Sequence, residues 1–355
     1  MSLPSVLLHD HLDGGLRPAT ILELAEIHDY RGLPTTDETG LAEWFDQSES
    51  GSLENYLRAF EHTIAVMQKP EAIERVAYEA AVDLVADGVV YTEIRFCPPM
   101  HTKQGMTRAA VIEAVASGMS LGSKESGLQW GLIIDSLRHI HDSMDLARLA
   151  VASRHLGVVG FDLAGPEAGY PPEEHVAACR FVRESGLRLT IHAGESAGED
   201  GVAYVASSVD KCGAERIGHG VELINDCLIR NGEIVDLGPV AERVRNRRIP
   251  LEMCPTSSLA TGSLQPEQHP VGPLYRTGFN ITLNTDNRLM SATSMSDEFD
   301  FVQKYHRFGI DDLALTTRRS LDAAFCPRDL KVELWETKIA PAYRAAGAGV
   351  EALWR

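Results

Sequence analysis

The stretch LLHDHLDGG, residues 7–15, ends an apolar run and contains two histidines separated by one residue. In an extended strand the side chains of residues i and i+2 point to the same side, so His9 and His11 are expected to aim their imidazole rings at one point. Imidazole is the commonest side-chain metal ligand, and zinc frequently occupies such sites. The alternative is a pair of exposed histidines on an edge strand, and this motif alone does not separate the two.

Apolar runs of strand length recur along the chain, and helical patterns separate them. The eight predicted strands are Val6–Leu12, Val89–Phe96, Leu128–Leu137, Val158–Leu163, Leu187–Ala193, Arg216–His219, Ile249–Cys254 and Phe279–Thr285. Alternation of strands with helices favours parallel pairing, and eight such units predict a closed (β/α)8 TIM barrel of the α/β class. An open doubly wound sheet is the alternative, and the lack of a GxGxxG motif after the first strand weakens its dinucleotide-binding form.

Extra helices are predicted after the first strand and at the C-terminus. The first group is Pro18–Tyr30 and Leu53–Met67, and the aromatic segment Trp44–Phe60 either covers the barrel mouth or packs on its side. The other predicted helices are Glu71–Asp87, Thr107–Met119 (ending near Gly122), Ser143–His155, Glu173–Ser185, Val235–Arg247, Asp297–Arg307, Asp311–Phe325 and Lys331–Arg344. Because no repeat, low-complexity tract or linker interrupts the pattern, residues 1–355 are predicted to form a single domain.

Composition narrows the classes of function. The 355 residues are 44% hydrophobic and 24% charged, as in an ordinary globular protein, and the formal net charge is −18. This charge disfavours binding to nucleic acid or to an anionic membrane, since phosphate recognition needs a basic face. The six cysteines form no CxxC pair, and neither a signal peptide nor a bilayer-length apolar run is evident. A cytoplasmic protein is therefore expected, and its charge is compatible with a neutral or cationic small substrate without selecting one.

The predicted carboxyl ends of the strands carry an unusual set of side chains. In a (β/α)8 barrel the active site lies at these ends. Four histidines and two acids fall there: His9, His11, His192, His219, Glu195 and Asp286. A hydrolytic zinc site needs about three or four nitrogen and oxygen ligands with one position open for water, and a carboxylate that carries a proton. The set supplies both.

Other polar residues receive structural interpretations. A second HxH pair, His139 and His141, follows the third predicted strand where the chain enters a helix, and we interpret it as a surface or helix-start pair. The remaining histidines, His101 among them, lie in helical or loop contexts without an evident metal role. Glu93 and Arg95 on the second strand are interpreted as a buried or barrel-mouth charge pair.

Seven stretches, in order along nearly the whole chain, resemble the adenosine deaminase family of the metal-dependent amidohydrolase superfamily. They are LLHDHLDGG (7–15), VVYTEIRFCP (89–98), VVGFDLAGPE (158–167), LTIHAGE (189–195), ERIGHG (215–220), CPTSS (254–258) and LNTDN (283–287). The combination is specific, whereas each motif alone is weak. The resemblance implies zinc-dependent hydrolytic deamination of adenosine or 2'-deoxyadenosine in purine metabolism, on a TIM barrel holding one zinc ion per subunit.

The resemblance also implies a role for each matching residue. The residues implied to bind zinc are His9, His11, His192 and Asp286. Glu195 is implied to protonate purine N1, and His219 to orient the attacking water and help to deprotonate it. Asp286 is implied to contact that water as well.

Substrate contacts are implied on the other side of the barrel mouth. His11 lies beside the substrate, Asp13 hydrogen-bonds a ribose hydroxyl, and the Gly165 N–H meets purine N3. Where the family usually has a second aspartate that contacts N7, this chain has Asn287. An amide can donate to N7, so the chemistry survives this departure, but the identity of the adenine-containing substrate becomes less certain.

Alternatives to this function remain open. A related deaminase would act on aminodeoxyfutalosine, adenine or N6-methyl-AMP. An inactive barrel would serve as a scaffold, which intact Glu195 and His219 disfavour. A lactonase or phosphotriesterase would use two metals bridged by a lysine, and no lysine stands at the end of the fourth or fifth strand. The sequence does not predict an oligomeric state.

Overall fold

Eight parallel strands form the centre of the computed structural model, which describes residues 2–262 and 264–351. The strands of the chain are β1 Ser5–His11, β2 Val89–Phe96, β3 Gln129–Leu137, β4 Val158–Ala164, β5 Arg188–Ala193, β6 Arg216–His219, β7 Cys227–Arg230, β8 Glu233–Leu237, β9 Leu251–Met253 and β10 Ile281–Leu283. The sheet order is β1-β2-β3-β4-β5-β6-β9-β10. All eight predicted strands are present, and the TIM barrel is confirmed.

The barrel closes through the first and last strands of the sheet. The N–H of His11 donates to the carbonyl of Asp286 at 2.8 Å, and the N–H of Asp286 donates to the carbonyl of His9 at 3.0 Å. The side chain of Asn284 accepts from the N–H of Leu8 at 2.9 Å. Closure therefore brings the LLHDHLDGG stretch directly against the LNTDN stretch.

The interior of the barrel contains a fully buried network of charges. Arg95 pairs with Asp162 at 2.6 Å and with Glu252 at 2.9 Å. Arg216 pairs with Glu93 at 2.6 Å and also with Glu252. Glu93 and Arg95 are buried, as predicted, but each has its partner on another strand. Removal of one member would leave a buried charge uncompensated, at a cost of about 3–5 kcal/mol.

Sixteen α-helices surround the barrel in the described part of the chain. They are α1 Pro18–Ile27, α2 Glu38–Phe45, α3 Leu53–Leu57, α4 Phe60–Val66, α5 Pro70–Ala86, α6 Arg108–Ser126, α7 Ser143–Ala152, α8 Val176–Glu184, α9 Gly201–Ser207, α10 Pro239–Asn246, α11 Pro255–Thr261, α12 Val271–Arg276, α13 Met295–His306, α14 Ile310–Ala323, α15 Arg328–Leu334 and α16 Ala340–Ala345. Five lie between β1 and β2, and four follow β10, so the predicted extra helices are present at both places.

The predicted end of α6 near Gly122 is wrong. The helix continues to Ser126 because its glycines serve a different purpose from ending it. A Cβ at Gly118 would overlap the carbonyl of Glu74, and a Cβ at Gly122 would lie 2.8 Å from the carbonyl of Tyr78. The two glycines thus allow α6 to pack closely on α5.

Two other predicted helices differ from the structure. Val235 belongs to a strand, because β7 and β8 form an antiparallel hairpin and helix α10 begins only at Pro239. The segment predicted as one helix from Leu53 to Met67 is divided into α3 and α4 at Arg58–Ala59. None of the described helices is long and apolar enough to span a membrane.

Candidate metal centre and active site

Four side chains converge where the barrel closes. His9 and His11 lie at the end of β1, His192 lies at the end of β5, and Asp286 follows β10. One ligand atom from each residue lies within 4.8 Å of those of the other three. The Nε2 atoms of His11 and His192 are 3.3 Å apart, and Asp286 Oδ1 is 3.4 Å from His11 Nε2. The structure therefore brings together the four residues that the sequence grouped as metal ligands.

A carboxylate faces the outer nitrogen of each of these histidines. The Nδ1 atom of His9 lies 2.9 Å from Glu252 Oε2, and that of His11 lies 3.2 Å from Asp135 Oδ2. The Nδ1 atom of His192 lies 3.0 Å from Asp162 Oδ2. A carboxylate in this position holds the proton on Nδ1 and turns Nε2 toward a metal.

The donor set fits a divalent metal ion. With their protons held on Nδ1, the three imidazoles direct unprotonated Nε2 atoms toward one point, together with a carboxylate oxygen. His9 Nε2 is buried and has no hydrogen-bond partner in the described part of the chain. Converging lone pairs repel one another unless a cation lies between them. Three imidazole nitrogens and one carboxylate oxygen match the ligands of catalytic zinc sites.

Backbone conformation aims two of the polar groups. His219, at the end of β6, has φ 61°, and Asp286 has φ 62°. This left-handed region costs a residue with a Cβ about 1–3 kcal/mol, and such strain concentrates at functional sites. Gly218, next to His219, leaves space for the His9 ring, because a Cβ there would lie 3.0 Å from His9 Cε1.

Glu195 is presented by a turn that another carboxylate holds. The oxygens of Glu167 accept hydrogen bonds from the N–H groups of Gly194, Glu195 and Ser196, at 2.6, 2.9 and 2.9 Å. Gly194 has φ 68°, which favours glycine. Glu167 was part of a matched motif without an assigned role, and its contacts make it the residue that positions Glu195.

The environment of Glu195 favours its protonated form. Burial, together with the nearby carboxylates of Asp286 and Glu167, raises the pKa of Glu195 well above its usual value. Its Oε1 lies 3.7 Å from His219 Nε2. Burial and the neighbouring His9 hold the pKa of His219 well below its usual value. The surroundings thus favour the protonated acid at Glu195 and the neutral imidazole at His219, an arrangement suited to proton transfer.

A cavity of about 270 Å³ opens beside this group. Its floor contains the histidines and acids, and its walls are mostly apolar, with Leu57, Phe60 and Ile64 among the lining side chains. Neither lysine nor arginine is present among its described lining residues. Small-molecule sites commonly combine an apolar wall with a few converging polar groups.

The three other predicted substrate contacts also line the cavity: Asp13, Gly165 and Asn287. Asp13 lies within the short 3₁₀ turn Leu12–Gly14, and His11 occupies the N-cap position of that turn. The Oδ1 atom of Asn287 is buried without a hydrogen-bond partner in the described residues. A Cβ at Gly14 would overlap this atom, so the glycine of the HLDG motif makes space for Asn287.

Several residues around the cavity were missed or misjudged from the sequence. His139 is an exposed turn residue, in agreement with the surface interpretation, but it also lines the cavity. His101 is buried, with Nε2 3.5 Å from Asp13 Oδ2. Tyr56 on α3 lines the cavity and hydrogen-bonds Ser291 at 2.7 Å. Asp135 and Glu252, the carboxylates that face His11 and His9, are each a single acid within an apolar strand, and this pattern in the sequence could have identified them.

Comparisons with known proteins identify relatives of this fold and site. The family described as adenosine deaminase matches residues 4–340. An adenosine deaminase of Mycobacterium marinum is 45% identical over 347 residues, which cover 96% of this chain and 95% of the relative.

Solved structures are similar over almost the whole chain as well. An adenine deaminase from Arthrobacter aurescens has a TM-score of 0.85 at 24% identity, covering 97% of this chain and 99% of that one. An amidohydrolase from Burkholderia ambifaria with bound Zn has a TM-score of 0.83 at 24% identity, covering 97% and 91%. At this identity the two structures support the fold alone.

Proposed function

Since the chain belongs to the adenosine deaminase family, we propose that it hydrolyses adenosine and 2'-deoxyadenosine to inosine and 2'-deoxyinosine, with release of ammonia. The observation that carries the proposal is the meeting of Glu195, His219 and the four-residue metal group at one end of an apolar cavity. These residues provide an acid, a base and a place for a Lewis acid within one small volume.

The proposed metal is zinc, one ion per subunit, and its proposed ligands are His9, His11, His192 and Asp286. When bound, zinc supplies an activated water by lowering the pKa of that water to about 7. The carboxylates behind the histidines support this assignment, because such partners orient imidazole ligands and raise their basicity.

Proton transfer is assigned to two residues. Glu195, kept protonated by its buried surroundings, would donate its proton to purine N1, so the ring accepts attack at C6 without accumulating charge. His219 would orient the attacking water and accept its proton, and Asp286 would contact the same water. In the tetrahedral intermediate, the proton held by His219 would pass to the leaving amine and the C6 hydroxyl proton would return to Glu195, so adenosine and water give inosine and ammonia.

Recognition of the nucleoside is assigned to the opposite wall of the cavity. Gly165, with φ 87°, would direct its N–H to purine N3, and Asp13 would accept a hydrogen bond from a ribose hydroxyl. The Asn287 amide would donate to N7, and His11 would lie beside the substrate. Because lysine and arginine are absent from the described lining, a phosphate monoester such as N6-methyl-AMP would lose its hydration without gaining a cationic partner.

A substrate panel on the zinc-loaded protein tests this function. Ammonia release should be fastest with adenosine and 2'-deoxyadenosine, and slower with adenine, N6-methyl-AMP and aminodeoxyfutalosine. An Asn287→Asp variant run beside the wild type tests whether the amide reads N7, and a change confined to KM is expected. If another compound of the panel is preferred, the nucleoside assignment fails while the deaminase chemistry stands. If none is turned over, the chemistry fails too.

Three general properties of the protein are also proposed: its domain organisation, its location and its partner. Residues 1–355 are proposed to act as one domain, since the site draws residues from strands spread between His9 and Asn287 around one closed barrel. A cytoplasmic location is proposed because the six cysteines are free and lack the pairing expected of an oxidising compartment. The proposed partner is a small purine nucleoside, with neither nucleic acid nor membrane involved.

A further inference from the structure

A second cavity, of about 1000 Å³, lies at the other end of the barrel. Its lining includes residues at or just before the starts of four neighbouring strands: Arg188 at β5, Arg216 at β6, Pro250 before β9 and Asn280 before β10. The candidate active site lies at the carboxyl ends of the same strands. The two cavities are therefore separated by the length of the barrel core.

The lining of this second cavity is rich in arginine, although the whole chain has a net charge of −18. Six arginines and three acids line it. Each acid already has an arginine partner: Asp210 pairs with Arg247 at 3.1 Å, Glu215 with Arg188, and Asp322 with Arg318. Positive charge therefore remains in excess.

Three of the lining arginines have no carboxylate partner in the described part of the chain: Arg183, Arg248 and Arg319. The Nε and Nη1 atoms of Arg319 are buried and lack a hydrogen-bond acceptor there. Burial and the nearby Arg248 lower the pKa of Arg319. Buried guanidinium nitrogens without an acceptor are costly, and a second cation nearby adds to that cost, whereas an anion between the two arginines would relieve both.

The backbone and floor of the cavity also favour an anion. Gly213 has no Cβ, and one there would overlap the guanidinium of Arg183, so the glycine lets this side chain lie across the wall. Arg216, 1% exposed, lines the floor, and its Nη2 atom has no hydrogen-bond acceptor in the described residues. Arg248 adopts the left-handed region, with φ 54°, which an unconstrained arginine avoids.

We propose that this cavity binds a phosphate-bearing small molecule, with Arg319 and Arg248 as its principal phosphate ligands. The planar fork of a guanidinium matches the oxygens of a phosphate in two parallel hydrogen bonds. Three unpaired guanidiniums match more negative charge than one carboxylate carries. The volume is at the upper end of the range for small-molecule sites, so a compound with more than one phosphate fits.

Calorimetric titration of the zinc-loaded protein at constant ionic strength tests this proposal. The probes are pyrophosphate, tripolyphosphate and ATP, which separate the phosphate chain from the nucleoside. We expect binding of all three, and a tighter interaction with ATP only if the base makes contacts. Arg319→Gln and Arg248→Gln should each weaken binding by about tenfold to a hundredfold, because each variant loses charge-assisted hydrogen bonds to the phosphate.

Two controls make the result decisive. Arg230→Gln removes the same charge from an exposed hairpin position outside the cavity, and it should leave binding unchanged. Because pyrophosphate could also contact the bound metal, binding that persists in both cavity variants would overturn the proposal. Absence of binding to the wild type, or an equal loss in Arg230→Gln, would overturn it too. If Arg319→Gln does not fold, the exposed position of Arg248 keeps the test available.

Discussion

The two ends of the barrel present opposite chemistry from the same strands. The carboxyl ends of the strands surround a cavity of about 270 Å³ with histidines, acids and apolar walls, and without lysine or arginine in the described lining. The amino ends line a cavity of about 1000 Å³ with six arginines. Strand β6 shows the change within four residues, since it begins with Arg216 and ends with His219. Position along a strand, more than the identity of the strand, thus decides which chemistry a residue serves.

Between the two ends, one buried carboxylate is shared. Glu252 pairs with Arg216 through Oε1, and its Oε2 lies 2.9 Å from His9 Nδ1 on the other side. It neutralises positive charge from the arginine end while orienting a proposed metal ligand. Burial opposes its ionisation, but Arg95 and Arg216 hold the pKa of Glu252 far below its usual value, so it remains charged.

The largest expected difference between the two ends is in turnover. Glu195→Gln keeps the shape of the side chain but removes the proposed proton donor, so kcat should fall by about 10²–10⁴-fold. Zinc content, measured by atomic emission, should be unchanged, because Glu195 is outside the proposed ligand set. Glu184→Gln, the same substitution at an exposed position toward the opposite end, should retain wild-type kcat. Near-normal turnover of Glu195→Gln would contradict the assigned mechanism.

Stability should depend on pH through a buried carboxyl at the active-site end. Glu298 on α13 accepts from the Thr293 hydroxyl at 2.9 Å, and burial raises its pKa from 4.5 to about 7. Between these values the folded state binds more protons than the unfolded state. The free energy of unfolding should therefore fall by about 3 kcal/mol as pH rises from 4.5 to 7.

Chemical denaturation of wild type and Glu298→Gln across this pH range measures that contribution. The Gln variant should lose this part of the pH dependence. Glu184→Gln, an exposed position at the end of α8 toward the arginine cavity, should keep the wild-type dependence. Parallel profiles for wild type and Glu298→Gln would show that Glu298 does not titrate with folding.

Metal affinity should depend on the carboxylates behind the histidines. Asp135→Asn replaces the acceptor that lies 3.2 Å from His11 Nδ1, so zinc affinity should fall by about 10–100-fold. Competition with a chromophoric chelator measures this change. Asp322→Asn is a matched substitution at the arginine end and should leave zinc affinity unchanged. Equal affinities in the two variants would remove Asp135 from the metal site.

The smallest expected effect concerns the apolar wall of the active-site cavity. Phe60→Ala removes a half-buried ring from the lining. The substrate then buries less apolar surface, which should weaken its binding free energy by about 1–2 kcal/mol. Because about 1.4 kcal/mol corresponds to a factor of ten in affinity, KM should rise five- to thirtyfold. The change in kcat should be smaller. Phe325→Ala, which removes a ring 3.6 Å from the Arg216 guanidinium at the other end, should lower thermal stability and leave KM unchanged.

Local pattern was sufficient where a structure depends on neighbours in sequence. All eight barrel strands were predicted, since all but the short, glycine-flanked Arg216–His219 are apolar runs with nearby turn signals. Local pattern failed at α6, because Gly118 and Gly122 lie against the backbone of α5, a contact invisible in the local sequence. It failed also at the β7–β8 hairpin, whose short and mostly exposed strands lie outside the barrel and lead directly into α10.

By itself, the sequence determined the eight-strand barrel and grouped the histidines and acids that meet at its mouth, because strand parity and strand ends are local properties. The tertiary structure alone decided which carboxylate orients each histidine, that His139 lines the cavity, and that arginines gather at the opposite end. These features join residues far apart in the chain: His9 and Glu252 are separated by 243 positions. Such contacts arise only when the closed barrel brings distant strands side by side, so no local pattern specifies them.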